Sequence, residues 1–130
     1  MNDNKLIIAG SRNFNDYSLL VNKTKEYLEH HTIDIRHLRI VSGMARGADM
    51  LGVRLAKEYN IPVIEMPADW NLYGKSAGYI RNAEMAKIAT HALIFWDGKS
   101  RGSGNMINLA AKYNLEIDVV MYTMTSKHIP

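Results

Sequence analysis

The sequence ALIFW at residues 92–96 runs directly into DGKSRGSGN at residues 97–105. The apolar run predicts a buried strand, and the spacing of apolar residues over 106–113 predicts a helix after the turn. A turn of this kind presents free backbone amides and the positive end of a helix to an anion. Its glycines let the backbone approach a phosphate closely, while its hydroxyls and cations supply further donors. We expect the anion contacts to come from Ser100, Arg101, Gly102 and Ser103.

Apolar runs and helical patterns alternate along the rest of the chain. Strands are predicted at residues 6–9, 38–41, 63–66, 92–96 and 119–122. Helices are predicted over residues 17–28, 48–59, 82–89 and 106–113. Short apolar strands that alternate with helices predict an α/β fold, in which a mainly parallel five-stranded sheet carries helices on both faces in a three-layer sandwich.

Several residues are predicted to define helix ends and helix faces. Asp16 precedes the first helical pattern and is expected to cap it. Asn60 and Asn114 each follow a helical pattern, where a left-handed residue ends a helix. The helix at 82–89 is expected to turn Met85, Ile88 and Ala89 inward.

Composition limits the classes of protein that fit this chain. Its 130 residues predict a single domain over 1–122, followed by a loosely ordered tail over 123–130. The chain has no cysteine, and its five histidines lack the spacing of metal ligands, so we predict no disulfide, no metal and no cofactor. Without a signal peptide or a long apolar run, we expect a soluble, cytoplasmic protein without membrane contact. The net charge of +3 is small for a dedicated nucleic-acid binder.

Glycine, serine and arginine gather in the loops that follow the predicted strands. In an open parallel sheet these loops share one edge, where ligands bind. Trp70 is expected either to stack on a base or to pin its long loop to the core. Arg81 and Asn82 are expected to open a helix, with Asn82 as a cap or a ligand contact. The binding residues predicted in these loops are Gly10, Ser11, Arg12, Gly43, Arg46, Gly47, Trp70, Arg81 and Asn82.

Five motifs occur in order along most of the chain. They are Gly10-Ser11-Arg12, Ser42-Gly43-x-Ala45-Arg46-Gly47-Ala48-Asp49, Ala68-Asp69-Trp70, Gly78-x-x-Arg81-Asn82-x-x-Met85 and Trp96-Asp97-Gly98-x-Ser100-Arg101-Gly102-Ser103. Together they resemble the YspA/cpYpsA-related branch of the SLOG superfamily, which groups DNA-processing protein A with the "lonely guy" hydrolases. The resemblance implies a Rossmann-like sheet and a pocket for a nucleotide or nucleotide-derived ligand. It also implies a ligand sensor or a nucleotide-processing enzyme.

The hydrolases of this superfamily carry a Gly-Gly-x-Gly-Thr-x-x-Glu pattern after the fourth strand. Aligning its Gly-Thr pair on Gly102-Ser103 places Met106 where the glutamate stands. A thioether neither accepts a proton nor stabilises an oxocarbenium ion, so this comparison disfavours a lonely-guy-type phosphoribohydrolase. Carboxylates expected on the same rim remain as candidate catalytic residues, namely Asp49, Asp69, Glu84 and Asp97.

The leading hypothesis is therefore the binding of a phosphorylated, nucleotide-derived small molecule at the carboxyl ends of the strands, with sensing or processing left open. One alternative is an N-glycosidic or phosphoester hydrolase that uses the same pocket. Another is single-stranded DNA binding as in the relatives of DNA-processing protein A, which the modest net charge disfavours. Relatives commonly self-associate, so a homo-oligomer is included among the expected partners.

Overall fold

Five parallel strands alternate with five helices over residues 3–123, the part of the chain that this computed structural model describes. The strands are β1 (Asn4–Gly10), β2 (Leu38–Ser42), β3 (Val63–Glu65), β4 (His91–Trp96) and β5 (Glu116–Met121). The helices are α1 (Tyr17–His30), α2 (Ala48–Glu58), α3 (Trp70–Tyr73), α4 (Ala77–Ile88) and α5 (Arg101–Lys112). Two short 3-10 helices, Ile35–His37 and Gly74–Ser76, lie before β2 and before α4.

The strands form one parallel sheet in the order β3-β2-β1-β4-β5. Within it, Ile7 of β1 pairs with Val41 of β2, and Ile8 pairs with Leu93 of β4. The chain moves outward from β1 to β3 and then returns to β4 on the other side of β1, so the strand order reverses between β1 and β4. The connections that leave these two strands diverge and open a crevice at their carboxyl ends. The sheet confirms the predicted α/β, Rossmann-like fold class.

Alternate side chains of β1 fill two apolar layers. Leu6 and Ile8 pack with residues of α1 and α2 on one face of the sheet. Ile7 packs on the other face with Met85 of α4 and Met106 of α5. All five side chains are buried, and each contributes roughly 1.5–3 kcal/mol of hydrophobic stabilisation. Helices therefore cover both faces, as the alternating pattern predicts.

The helix ends follow the local chemistry predicted for them. The Asp16 side chain accepts a 3.0 Å hydrogen bond from the Leu19 amide and caps α1. Asn60 and Asn114 adopt left-handed backbones with φ of 56° and 60° after α2 and α5. Both predictions are confirmed. Asparagine occurs at these two positions because its short polar side chain tolerates the left-handed region better than a branched side chain does.

The predicted start of the helix at residue 82 is wrong, because α4 begins at Ala77. Its first turn contains Gly78, whose low helix propensity favours a loop in the sequence. Tertiary packing overrides that preference, since Ala77 is buried and Gly78 lies against the Trp70 ring. Ile88 is 40% exposed and does not point inward as predicted, because it lies beside the buried stripe of α4. That stripe consists of Asn82, Met85, Ala86 and Ala89.

The last strand also starts earlier than predicted, at Glu116 rather than at residue 119. Because β5 is an edge strand, its first residues alternate exposed Glu116 and Asp118 with half-buried Ile117, and its continuous apolar run begins only at Val119. The predicted tail lies outside the described residues from 124 onward. Among residues 3–123, no helix combines the length and apolar character needed to cross a bilayer.

Candidate functional site

A cavity of about 770 Å³ opens at the carboxyl ends of β1 and β4, where the strand order reverses. Segments after β1, after β2, around α3 and α4, and at the start of α5 contribute to its wall. Eleven of the residues predicted to bind ligand line it together. They are Gly10, Ser11, Arg12, Arg46, Trp70, Arg81, Asn82, Ser100, Arg101, Gly102 and Ser103.

Two predicted binding residues lie outside this cavity. Gly43 lines a smaller, adjoining cavity of about 310 Å³. Gly47 lines neither of the two cavities. It lies where the loop after β2 meets the loop after β1, with its φ at 85°, and a Cβ there would stand 2.7 Å from the Arg12 Cα. The structure thus gives Gly47 a role in holding two loops together.

The cavity is cationic around its wall and apolar at its floor. Five basic side chains line it, and Asp49 is the one carboxylate that lines it among the described residues. Met85 and Met106 lie at its base, each about 1% exposed. The basic side chains are Arg12, Arg46, Lys75, Arg81 and Arg101. Because they approach from four segments, an anion in the cavity would interact with several cations at once.

Asp97 organises the turn between β4 and α5. Its carboxylate accepts hydrogen bonds from the Lys99 amide (2.9 Å), the Ser100 amide (2.8 Å) and the Ser100 hydroxyl (3.0 Å). The amide donors stabilise the charged form and lower the pKa of Asp97 to about 2. The Trp96 indole N–H donates to the Ser100 carbonyl at 3.0 Å and fixes the same turn. Asp97 does not line the cavity, so its position corresponds to a structural role.

The start of α5 lines the cavity, and its first backbone amides have no acceptor in their own helix. The bond from the Gly104 amide to the Ser100 carbonyl closes the first turn. The amides of Arg101, Gly102 and Ser103 precede it and have no acceptor within the helix. A Cβ at Gly102 would meet no atom within 4 Å, so the approach to this backbone is open.

Arg81 and Asn82 do not open a helix, since both lie in the second turn of α4. Arg81 Nη1 donates to the Gly43 carbonyl, and Arg81 Nε donates to Asn82 Oδ1 at 3.0 Å. Asn82 Nδ2 donates to the Gly102 carbonyl at 3.2 Å and to Asn105 Oδ1 at 3.0 Å. The predicted capping role of Asn82 is therefore wrong. The two side chains instead connect the loop after β2, helix α4 and the start of α5.

Replacing Asn82 with alanine is expected to lower the free energy of unfolding by about 1–2 kcal/mol, because buried hydrogen-bonding groups lose their partner. Urea denaturation of both proteins measures the difference. Glu84→Ala is the control, since Glu84 is exposed on the same helix and its loss should change stability by less than about 0.5 kcal/mol. Equal losses in the two variants would contradict this role for Asn82.

Asp49 lies in the first turn of α2 and is only 5% exposed. One of its oxygens accepts a hydrogen bond from the Ala45 amide at 3.3 Å. Burial raises the pKa of Asp49 to about 6, although the Arg81 charge acts in the opposite direction. Burial also lowers the pKa of Arg81, and the Asp49 charge opposes that shift. The charges of Asp49 and Arg81 therefore each oppose the pKa shift that burial causes in the other group.

The other two candidate catalytic carboxylates lie away from the cavity. Asp69 caps α3 by accepting a 3.0 Å hydrogen bond from the Leu72 amide. Glu84 is exposed on α4 and is not part of the cavity lining. Within the described part of the chain, no group of three or more metal-ligating side chains could hold a metal ion.

Lys75, Tyr79 and Met85 line the cavity but were not predicted as site residues. Lys75 and Tyr79 lie between the strand predicted at 63–66 and the helix predicted at 82–89. In a helix that begins at Ala77, residues 78, 81, 82 and 85 lie on one face, and this spacing could have identified Met85 as a residue of the α4 wall. Lys75 precedes α4, and the spacing gives no signal for it.

The model of the YspA, cpYpsA-related SLOG family matches residues 4–73. The chain belongs to this family. The matched region extends from β1 through α3. Helix α4 and the start of α5, which also line the cavity, lie outside the matched region. The Gene 61 protein of Mycobacterium phage D29 is 30% identical over 119 residues, which cover 87% of this chain and 93% of the phage protein.

A solved structure shares the fold of this family member. DNA processing protein A (DprA) from Streptococcus pneumoniae superposes with a TM-score of 0.69 over 96% of the chain, at 17% sequence identity. The chain spans about half of the length of DprA, at 52%. At this identity the likeness concerns the fold alone.

Proposed function

We propose that the cavity binds a phosphorylated, nucleotide-derived small molecule. The observation that carries the proposal is the convergence of five basic side chains on one concave cavity with an apolar floor. Cations held close together repel one another, and a bound polyanion would offset that repulsion. The cavity volume of about 770 Å³ also lies in the range of small-molecule sites.

The loops support phosphate as the anionic group. The free amides at the start of α5 and the open approach to Gly102 suit a group with several acceptor oxygens. Ser100 and Arg101 line the cavity beside these amides. Planar guanidinium groups on Arg12 and Arg46 add donors that match phosphate geometry.

Binding rather than hydrolysis is proposed, because Asp49 is the one carboxylate of the lining among the described residues, whereas glycosidic hydrolysis ordinarily uses a pair of carboxylates. Met106 lies buried in the cavity floor, and a thioether takes no proton. Asp49 also accepts a hydrogen bond from the Ala45 amide and lies close enough to Arg81 for the Arg81 charge to lower its pKa. The concave shape likewise favours a small molecule over a nucleic-acid strand, which binds along an extended groove.

The proposal is tested by thermal denaturation with AMP, ADP-ribose, NAD and a cyclic dinucleotide. Saturable stabilisation by at least one of them is expected, since a ligand that binds only the folded state raises its stability. A strand binder would instead respond to a single-stranded oligonucleotide with an affinity that falls steeply as salt rises. The absence of any response to the four small molecules would contradict the proposal.

Removing the Arg101 charge is expected to weaken binding of the stabilising nucleotide by about 10-fold or more. The reason is that Arg101 lies in the cavity wall beside the free amides of α5. Isothermal titration calorimetry of Arg101→Ala measures the change. The matched control is Lys99→Ala, which removes the same charge from an exposed residue outside the lining. Affinity should stay within about twofold there, and equal losses in both variants would indicate a diffuse charge effect.

A further inference from the structure

The smaller cavity is a second lobe of the same cleft. Arg12, Ala45, Arg46, Trp70 and Arg81 line both lobes, so the two volumes share a wall. The surfaces that belong to the small lobe alone are those of Gly43, Met44, Pro67 and Ala68. These are apolar side chains and backbone, unlike the wall of the larger lobe.

Trp70 stands at the junction of the two lobes with half of its surface exposed, at 50%. Its ring is supported by the close approach of Gly78, where a Cβ would lie 3.5 Å from the ring, and the Arg12 guanidinium lies 6.0 Å from the ring centroid. Asp69 fixes the start of the short helix that carries it. A large aromatic surface is thus held in place and left open toward the cleft, which suits stacking on a flat partner.

Three polar backbone groups around the small lobe already have hydrogen-bond partners. The Met44 amide donates to Ser42 Oγ at 3.1 Å, and the Ala45 amide donates to Asp49 Oδ2 at 3.3 Å. The Gly43 carbonyl accepts from Arg81. Since these groups are paired within the protein, the surfaces that belong to the small lobe alone offer apolar contact to a base, and the side-chain donors there are the guanidinium groups of the wall that the two lobes share.

We propose that the small lobe holds the nucleobase of a nucleoside phosphate whose phosphate occupies the larger lobe. This inference rests on the proposed function and adds the base as a recognised part of the ligand. Arg12 and Arg46, which line both lobes, lie between the base and the phosphate. Stacking on Trp70 is tolerant of base identity, because every base has a π-face. AMP and GMP should therefore bind with affinities within about fivefold of each other.

Calorimetric titrations with AMP and with ribose 5-phosphate separate the two lobes, because the second probe lacks the base. Trp70→Ala is expected to weaken AMP binding by about 10- to 100-fold, the loss typical of one stacked base. Its affinity for ribose 5-phosphate should stay within about twofold. Tyr73→Ala is the matched control, because Tyr73 is an exposed aromatic of the same short helix that lines neither lobe. It should leave both affinities within about twofold.

Tryptophan emission gives a second readout that is independent of affinity. AMP should quench the emission of the unaltered protein, and Trp70→Phe should lose most of this signal while still binding AMP through its remaining ring. The inference is overturned if AMP binds no more tightly than ribose 5-phosphate, or if Trp70→Ala weakens both probes equally. Either outcome would leave the proposed function standing, provided that a nucleotide of the panel stabilises the protein and that Arg101→Ala weakens its binding.

Discussion

Replacing Gly47 with alanine is expected to lower the free energy of unfolding by about 3 kcal/mol or more. Gly47 has φ 85° and ψ −131°, a backbone conformation essentially restricted to glycine. An added Cβ would also press on the Ser11 carbonyl oxygen and lie 2.7 Å from the Arg12 Cα. Because these neighbours are backbone atoms, the strain cannot be relieved by turning a side chain.

Two other glycines separate the two causes of this loss, which are the backbone conformation and the contact of an added Cβ with neighbouring atoms. Gly74 adopts a similar backbone, with φ 56° and ψ −133°, but a Cβ there meets nothing within 4 Å. Gly74→Ala should therefore show the conformational penalty alone, of about 1–2 kcal/mol. Gly102 has neither constraint, and Gly102→Ala should change stability by less than about 1 kcal/mol in either direction.

Chemical denaturation of the three variants tests the order of these losses. We expect the Gly47→Ala variant to have a much lower free energy of unfolding than the Gly74→Ala variant. The Gly102→Ala variant should be close in stability to the unaltered protein. A Gly47 variant as stable as the Gly74 variant would show that the two loops move apart without cost. In that case the contact between them would not hold the cleft in shape.

Most of the fold follows from local patterns in the sequence. The central strands are continuous apolar runs because both faces of the sheet are covered, and such runs are easy to recognise. Asp16, Asn60 and Asn114 act through contacts within a few residues, so their roles also follow from the local sequence. The sequence pattern misplaces the starts of α4 and β5. The start of α4 at Ala77 depends on tertiary packing, in which Gly78 lies against Trp70, and the start of β5 at Glu116 depends on its place at the sheet edge.

The sequence predicts which residues come together at one cavity better than it predicts the contacts that each of them makes. The edge of a parallel sheet collects the loops after its strands, so residues as distant as Arg12 and Ser103 could be placed together. The role of Asn82 in joining α4 to α5 depends on where α4 begins, which the sequence pattern misplaced. Asp97 and Asp69 resemble Asp49 in the sequence, and all three accept a hydrogen bond from a nearby backbone amide. Only the position of Asp49 in the cavity lining distinguishes it from the turn and cap residues.

The buried carboxyl group of Asp49 is expected to make stability depend on pH. In the unfolded chain this group has its ordinary pKa of 3.8, whereas burial raises the pKa to about 6 in the folded protein. Between these values the folded state keeps a proton that the unfolded state has released. Asp49 therefore favours folding most at low pH, and this contribution is lost as the pH rises through about 6.

Asp49→Asn removes this titration and keeps an oxygen that can accept from the Ala45 amide. The free energy of unfolding of the unaltered protein, minus that of the variant, should fall by about 2 kcal/mol between about pH 4 and pH 7. Urea denaturation at several pH values measures this difference. Asp69→Asn, at an exposed cap where asparagine serves as well, controls for the loss of one negative charge. A difference that stays constant with pH would mean that the Arg81 charge compensates for the burial of Asp49, so that the wall of the cleft carries a fixed ion pair.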